Sequence, residues 1–120
     1  MTDEEWARVA PWLDAALDFM PVRTHGLSDV RAAIECGDAQ LWAGRKCAVV
    51  TQLEIHPLVT ALSVWLAGGD LIEIRDEIQP VAEAWARARG CRFIVATGRQ
   101  GWGRALGYKP IHWTCAKELI

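Results

Sequence analysis

The sequence has no Cys-x-x-Cys pair, no surplus of basic residues, no long apolar run, and few aromatics other than tryptophan. Its cysteines, Cys36, Cys47, Cys91 and Cys115, stand far apart, so neither a zinc knuckle nor a dithiol redox motif is supported, and no metal is expected. Isolated thiols behave as small hydrophobes, which predicts that most of the four lie in the core. Thirteen Lys and Arg against fifteen Asp and Glu give a formal charge of −2, without the basic excess of a general nucleic-acid binder. The longest uncharged apolar stretch, residues 55–69, contains His56 and Pro57 and falls short of the roughly 20 residues of a membrane span. The start, Met-Thr-Asp-Glu-Glu, is acidic and unlike a secretory signal, which predicts a cytoplasmic protein with reduced thiols.

What is present is 120 residues, 52% of them apolar and 23% charged, enough for one domain that buries about two-thirds of its unfolded surface. Thr2 and Glu5 form a capping box ahead of Trp6, Val9, Leu13, Leu17 and Met20 at helical spacing, so residues up to 19 read as helix, with Pro11 as a point of interruption. A second helix is predicted from Ser28, as its cap, through Val30, Ile34 and Cys36 to Gly37. Strands follow at 40–43, 46–55 and 58–67, a meander whose central members are apolar on both faces. Gly68-Gly69 stops the third strand, Asp70 and Glu73 cap a long helix, and Leu71, Ile74, Ile78, Val81, Trp85 and Ala88 mark its apolar stripe, with Pro80 as a kink. A strand over 91–97, a Gly-rich segment over 98–107 with a short helix, and a last strand over 108–117 complete one α/β (α+β) domain, residues 1–120, with a mixed, mostly antiparallel sheet flanked by helices.

This order of elements, with Trp85-Ala-Arg-Ala-Arg-Gly-Cys and Gly98-Arg-Gln-Gly-Trp-Gly-Arg-Ala-Leu-Gly-Tyr, resembles the GNAT superfamily of acetyl-CoA-dependent N-acetyltransferases, above all the small GNAT-like proteins of tailed phages and prophages. The resemblance implies a gap between the 58–67 and 91–97 strands, where such proteins hold acetyl-CoA with its pyrophosphate at the start of the long helix. Backbone N–H groups and the helix dipole favour an anion there. The matching residues here keep Gly68 and Gly69 but supply no cation, and they set Asp70 and Glu73 where the pyrophosphate would lie. The resemblance also implies a Tyr general acid four residues before Gly107-Tyr108, and Gly103 stands there instead. Trp102 is adjacent, but its indole does not titrate.

The candidate coenzyme-binding residues are therefore Gly68, Gly69 and Asp70, joined by Arg99, Gly101 and Arg104 of the Gly-rich segment, which resembles an anion nest. Glu54, near the end of the middle strand, and His25, between the first two helices, are the candidate catalytic bases. Trp12 and Trp102 fall off the apolar stripes and are candidates for a partner surface. Three functions fit: a GNAT-fold protein with a degenerate coenzyme site that binds another protein, cytoplasmic or virion-associated, an active N-acetyltransferase on a small amine acceptor, or a nucleotide or phosphate binder using Arg99 and Arg104. A homodimer is compatible with each.

Overall fold

The computed structural model describes residues 1–19, 21–97, 100–112 and 114–119. Helix α1 (Asp3–Leu17) starts where the Thr2 hydroxyl accepts from the Glu5 N–H at 3.1 Å. It runs unbroken through Pro11, because that residue lies on the exposed side and Val9, Leu13 and Leu17 anchor the other. Helix α2 (Leu27–Glu35) begins one residue before Ser28: Gly26 is its cap, and the Asp29 carboxylate reaches back to the Gly26 N–H at 2.8 Å. Strands β1 (Gln40–Ala43), β2 (Cys47–Ile55) and β3 (Thr60–Gly69) form the antiparallel meander, and β4 (Cys91–Ala96) joins parallel to β3, in the order β1-β2-β3-β4. Thr51, fully buried, clamps the first pair by accepting from the Trp42 indole and donating to Gln40, each at 2.9 Å.

The crossover from β3 to β4 is one helical run built of α3 (Leu71–Glu73), a π-helical segment (Ile74–Ile78) and α4 (Gln79–Ala88). Pro80 has no N–H to give the preceding turn and its ring crowds that turn, which the π segment relieves. The wider turn also rotates the buried face by one residue. Ile74, Ala82 and Ala86 are buried, whereas Val81, on the regular stripe, is 57% exposed.

The alternation of β2 assigns the layers. Ala48 and Val50 join Val9, Leu13, Leu17 and Val30 under α1 and α2, while Cys47 and Val49 join Ile74 on the opposite face. A helix α5 (Gln100–Ala105) follows β4 on that second face, where Trp102 and Leu106 pack against the Ile74 cluster. The last strand predicted over 108–117 is not formed by the described residues: 108–112 and 114–117 carry no regular structure, and Pro110 cannot donate a ladder bond. Cysteine burial is also lower than predicted. Only Cys47 is buried; Cys91 is half-buried, and Cys36 and Cys115, at a helix end and in the irregular tail, are exposed. No described helix is long and apolar enough to cross a membrane.

Candidate functional site

Strands β3 and β4 pair from Thr60 with Cys91 up to Val64 with Ala96, where β4 ends and β3 runs on, leaving a gap beside β3. From Trp65 to Gly69, β3 keeps β2 as its neighbour but has no β4 residue beside it. The end of β4 coincides with a bulge. Val50 pairs with Leu66 and Thr51 with Val64, so Trp65 is the extra residue of β3.

His25 lies against this bulge, its ring edge-on to Trp65 with centroids 4.9 Å apart and its Nδ1 2.7 Å from the Thr24 hydroxyl. The loop between α1 and α2 thus carries an exposed imidazole to the point where the gap opens. Glu54 is not brought there. It pairs across with Ala61, four residues or about 13 Å along β3 from Trp65. Its carboxylate is exposed, with His56 Nε2 at 3.4 Å as its hydrogen-bond partner. The two candidate bases therefore do not form one site.

At the other end of the gap, the start of the long helix is occupied by the chain itself. Asp70 Oδ1 accepts from the Ile72 N–H at 2.9 Å and the Glu73 N–H at 3.3 Å, and the Asp70 N–H donates to the Lys46 carbonyl at 2.8 Å. Glu73 does not reach back to complete a capping box. Its carboxylate turns to the β1–β2 turn and accepts from the Lys46 N–H at 2.8 Å and the Arg45 N–H at 3.2 Å. The buried Cys47 thiol beside the same carboxylate, together with those amides, holds Glu73 below its ordinary carboxyl value. Burial, reinforced by Glu73, pushes the thiol up to about 12.

The two glycines serve close packing. A Cβ on Gly68 would stand 2.6 Å from the Trp12 carbonyl, and Gly69, at φ +97°, would drive one into the Lys46 carbonyl. Both lines of contact join the end of β3 to neighbouring backbone, which explains Gly68 and Gly69 without a ligand. Arg8 seals the same corner from α1 by donating to the Gly44 and Arg45 carbonyls. A cavity of about 640 Å³ lies beside it, lined by Arg8, Arg45, Glu73, Glu77 and Ile78 among others, with acidic and basic groups in balance.

The remaining candidates are dispersed. Gly101 lies in α5 with open space among the described residues where a side chain would be, Arg104 is exposed in the last turn of that helix, and Arg99 is outside the described residues. Gly103 supplies no titratable side chain at the expected acid position, and a Cβ there would stand 3.9 Å from the Tyr108 Cβ. Trp12 and Trp102, predicted as partner contacts, are half-buried against the two core layers instead, Trp12 over the β3 end and Trp102 over the Ile74 cluster. Sequence reasoning missed Trp65, the bulge residue under His25; its place between apolar neighbours in a strand gave no local sign of a bulge. Among the described residues no group of three His, Cys, Asp or Glu gathers to hold a metal ion.

Comparison with solved structures gives the fold a wider setting. The protein TTHA1254 of Thermus thermophilus superimposes with a TM-score of 0.62 at 16% identity, over 100% of this chain and 94% of that one. An acetyltransferase of Trypanosoma brucei gives 0.63 at 9% identity, over 99% and 96%. A GNAT family acetyltransferase of Staphylococcus aureus gives 0.57 at 11%, over 99% and 95%. The chain therefore has the GNAT fold, matched along nearly its whole length. No protein-family model and no curated protein matches the sequence.

Proposed function

We propose that this GNAT-fold chain is a binding protein with a degenerate coenzyme site, an accessory factor of the kind carried by tailed phages and prophages. The fold implies acetyl-CoA, and the residues present do not fit it. One observation carries this reading: Asp70 and Glu73 spend their carboxylates on the amides at the helix start and the β1–β2 turn. A pyrophosphate arriving there would have to displace a carboxylate from its N–H partners and would meet its negative charge. The phage or prophage setting, and with it a cytoplasmic or virion-associated location, rests on the sequence resemblance alone.

Titration calorimetry with acetyl-CoA tests the reading. No heat of binding is expected up to millimolar ligand, and a micromolar dissociation constant would overturn it. A second reading, an N-acetyltransferase acting on a small amine, is favoured by the exposed His25 at the mouth of the gap. It requires acetyl-CoA turnover that His25→Ala reduces and Glu54→Gln leaves nearly unchanged, since the two side chains lie apart.

A further inference from the structure

Arg8 donates to backbone carbonyls, Arg45 and Arg104 form no ion pair among the described residues, and the other described arginines divide into two groups. Arg23, Arg31 and Arg75 each meet a carboxylate. Arg87, Arg89 and Arg92, gathered around the turn from α4 to β4, form no ion pair among the described residues. Arg89 lies 3.8 Å over the Trp85 ring, and Arg92 stands 5.5 Å from the Phe93 ring. They flank β4, the outer strand of the sheet, whose outward backbone groups have no strand beside them among the described residues. Phe93 is 55% exposed on that strand. Next to it a cavity of about 250 Å³ is lined by Glu83, Arg87, Cys91, Arg92, Phe93 and Tyr108 among others.

An unpaired edge is a template for an added strand, in which main-chain hydrogen bonds give affinity and alternate side chains give choice. We infer that the β4 edge, with Arg87, Arg89 and Arg92, is a docking site for an extended acidic segment of a partner protein, which adds to the sheet as a fifth strand. The inference rests on the reading of the chain as a binding protein and names the partner's chemistry. Charge selects the occupant. The chain's own segment after Gly107 brings Lys109 and Lys117 against Glu118, so it carries the wrong sign. A second copy docking edge to edge would set the same arginines against each other. An acidic strand repeats its side chains on one face about every 7 Å, within reach of guanidinium groups on α4 and β4. A peptide suits the edge better than a nucleic acid does, because an edge strand offers main-chain donors and acceptors that an added strand can pair with.

The test is fluorescence anisotropy on the full chain with a labelled peptide of alternating Glu and Val. Binding is expected to weaken as salt rises through the range where the screening length falls below about 10 Å. The pair Arg87→Glu and Arg92→Glu is expected to weaken it about tenfold or more, with circular dichroism confirming that the variant folds. Equal affinity for a Gln-Val peptide would overturn the inference, as would tighter binding of a single-stranded oligo-dT. Hydrogen exchange of the free chain supplies the other occupants: protection of every amide from Arg92 to Ala96, rather than of alternate ones, would show the edge already covered by its own tail or, where sedimentation gives a dimer, by a second copy. Acetyl-CoA binding with the peptide site intact would sink the proposed function and leave this inference standing; failure of both ligands would do the reverse.

Discussion

At the scale of single residues, the same amino acid has opposite meanings at different places. Gly69 and Gly101 both entered as candidates for cradling a phosphate. Gly69 holds φ +97° with the Lys46 carbonyl pressed where a Cβ would be, whereas Gly101 sits in α5 with nothing within 4 Å among the described residues. Gly69→Ala is therefore expected to cost roughly 1–3 kcal/mol, and Gly101→Ala to be neutral or to stabilise by up to about 1 kcal/mol through helix propensity. Thermal unfolding of the two variants separates these outcomes, and a loss of stability in Gly101→Ala would show that its surroundings are not open. Spacing alone cannot make this distinction. The Gly68-Gly69 pair reads as a strand stop and as a phosphate turn alike, and only the approach of Trp12 and Lys46 backbone decides between them. Glu73 is a similar case. Its position three residues after Asp70 predicts a capping box, but the β1–β2 turn presents two amides that no other group among the described residues satisfies, and the carboxylate goes there.

At the scale of elements, strong local signals were legible and long-range ones were not. β1 lies where the sequence predicts it, β2 begins one residue later than predicted and β3 is displaced by two, because apolar runs bounded by Gly and Pro define strands well and ends poorly. The caps at Thr2 and Asp70 are local chemistry and were readable. The bulge at Trp65, and with it the site where His25 meets the gap, depends on how two strands register and leaves no mark in either. The π segment is intermediate: Pro80 announces a disturbance, but its form follows from what the rotated helix buries. That rotation is testable. Ala82→Leu, at a buried position facing Leu62, is expected to overpack the layer and cost about 1–3 kcal/mol. Val81→Ala, on the face a regular helix would bury, is expected to change stability by less than about 0.5 kcal/mol. Denaturant unfolding reads both, and the opposite ranking would mean that the helix keeps a regular register.

At the scale of the whole molecule, the helices on both faces of one sheet place ionisable groups in opposed situations, and these set how stability responds to pH. Glu73 is held below its ordinary 4.5 by the Cys47 thiol and the Lys46 amide, and Asp76 below its ordinary 3.8 by Arg75. A carboxyl depressed in the folded state contributes stability that is present above its unfolded value and is lost as pH falls through the folded one. The acid limb should therefore begin near 4.5 and steepen below it. The alkaline side runs the other way. Burial raises Cys47 from 9.0 and Tyr108 from 10.0, each to about 12, so the folded state keeps protons that the unfolded chain releases. Their contribution is complete below 9.0 and 10.0 respectively and is lost as pH rises toward 12. Denaturant midpoints measured across pH should thus trace a plateau between the two limbs, with a constant slope of free energy against denaturant. Cys47→Ala isolates the thiol: removing it should move the onset of the alkaline limb from about 9 to about 10, where Tyr108 takes over. An onset that stays at 9 in that variant would mean that the thiol beside Glu73 is not the group responsible, and that the packed corner joining Gly44, Cys47, Gly69 and the helix start opens more readily than its contacts indicate.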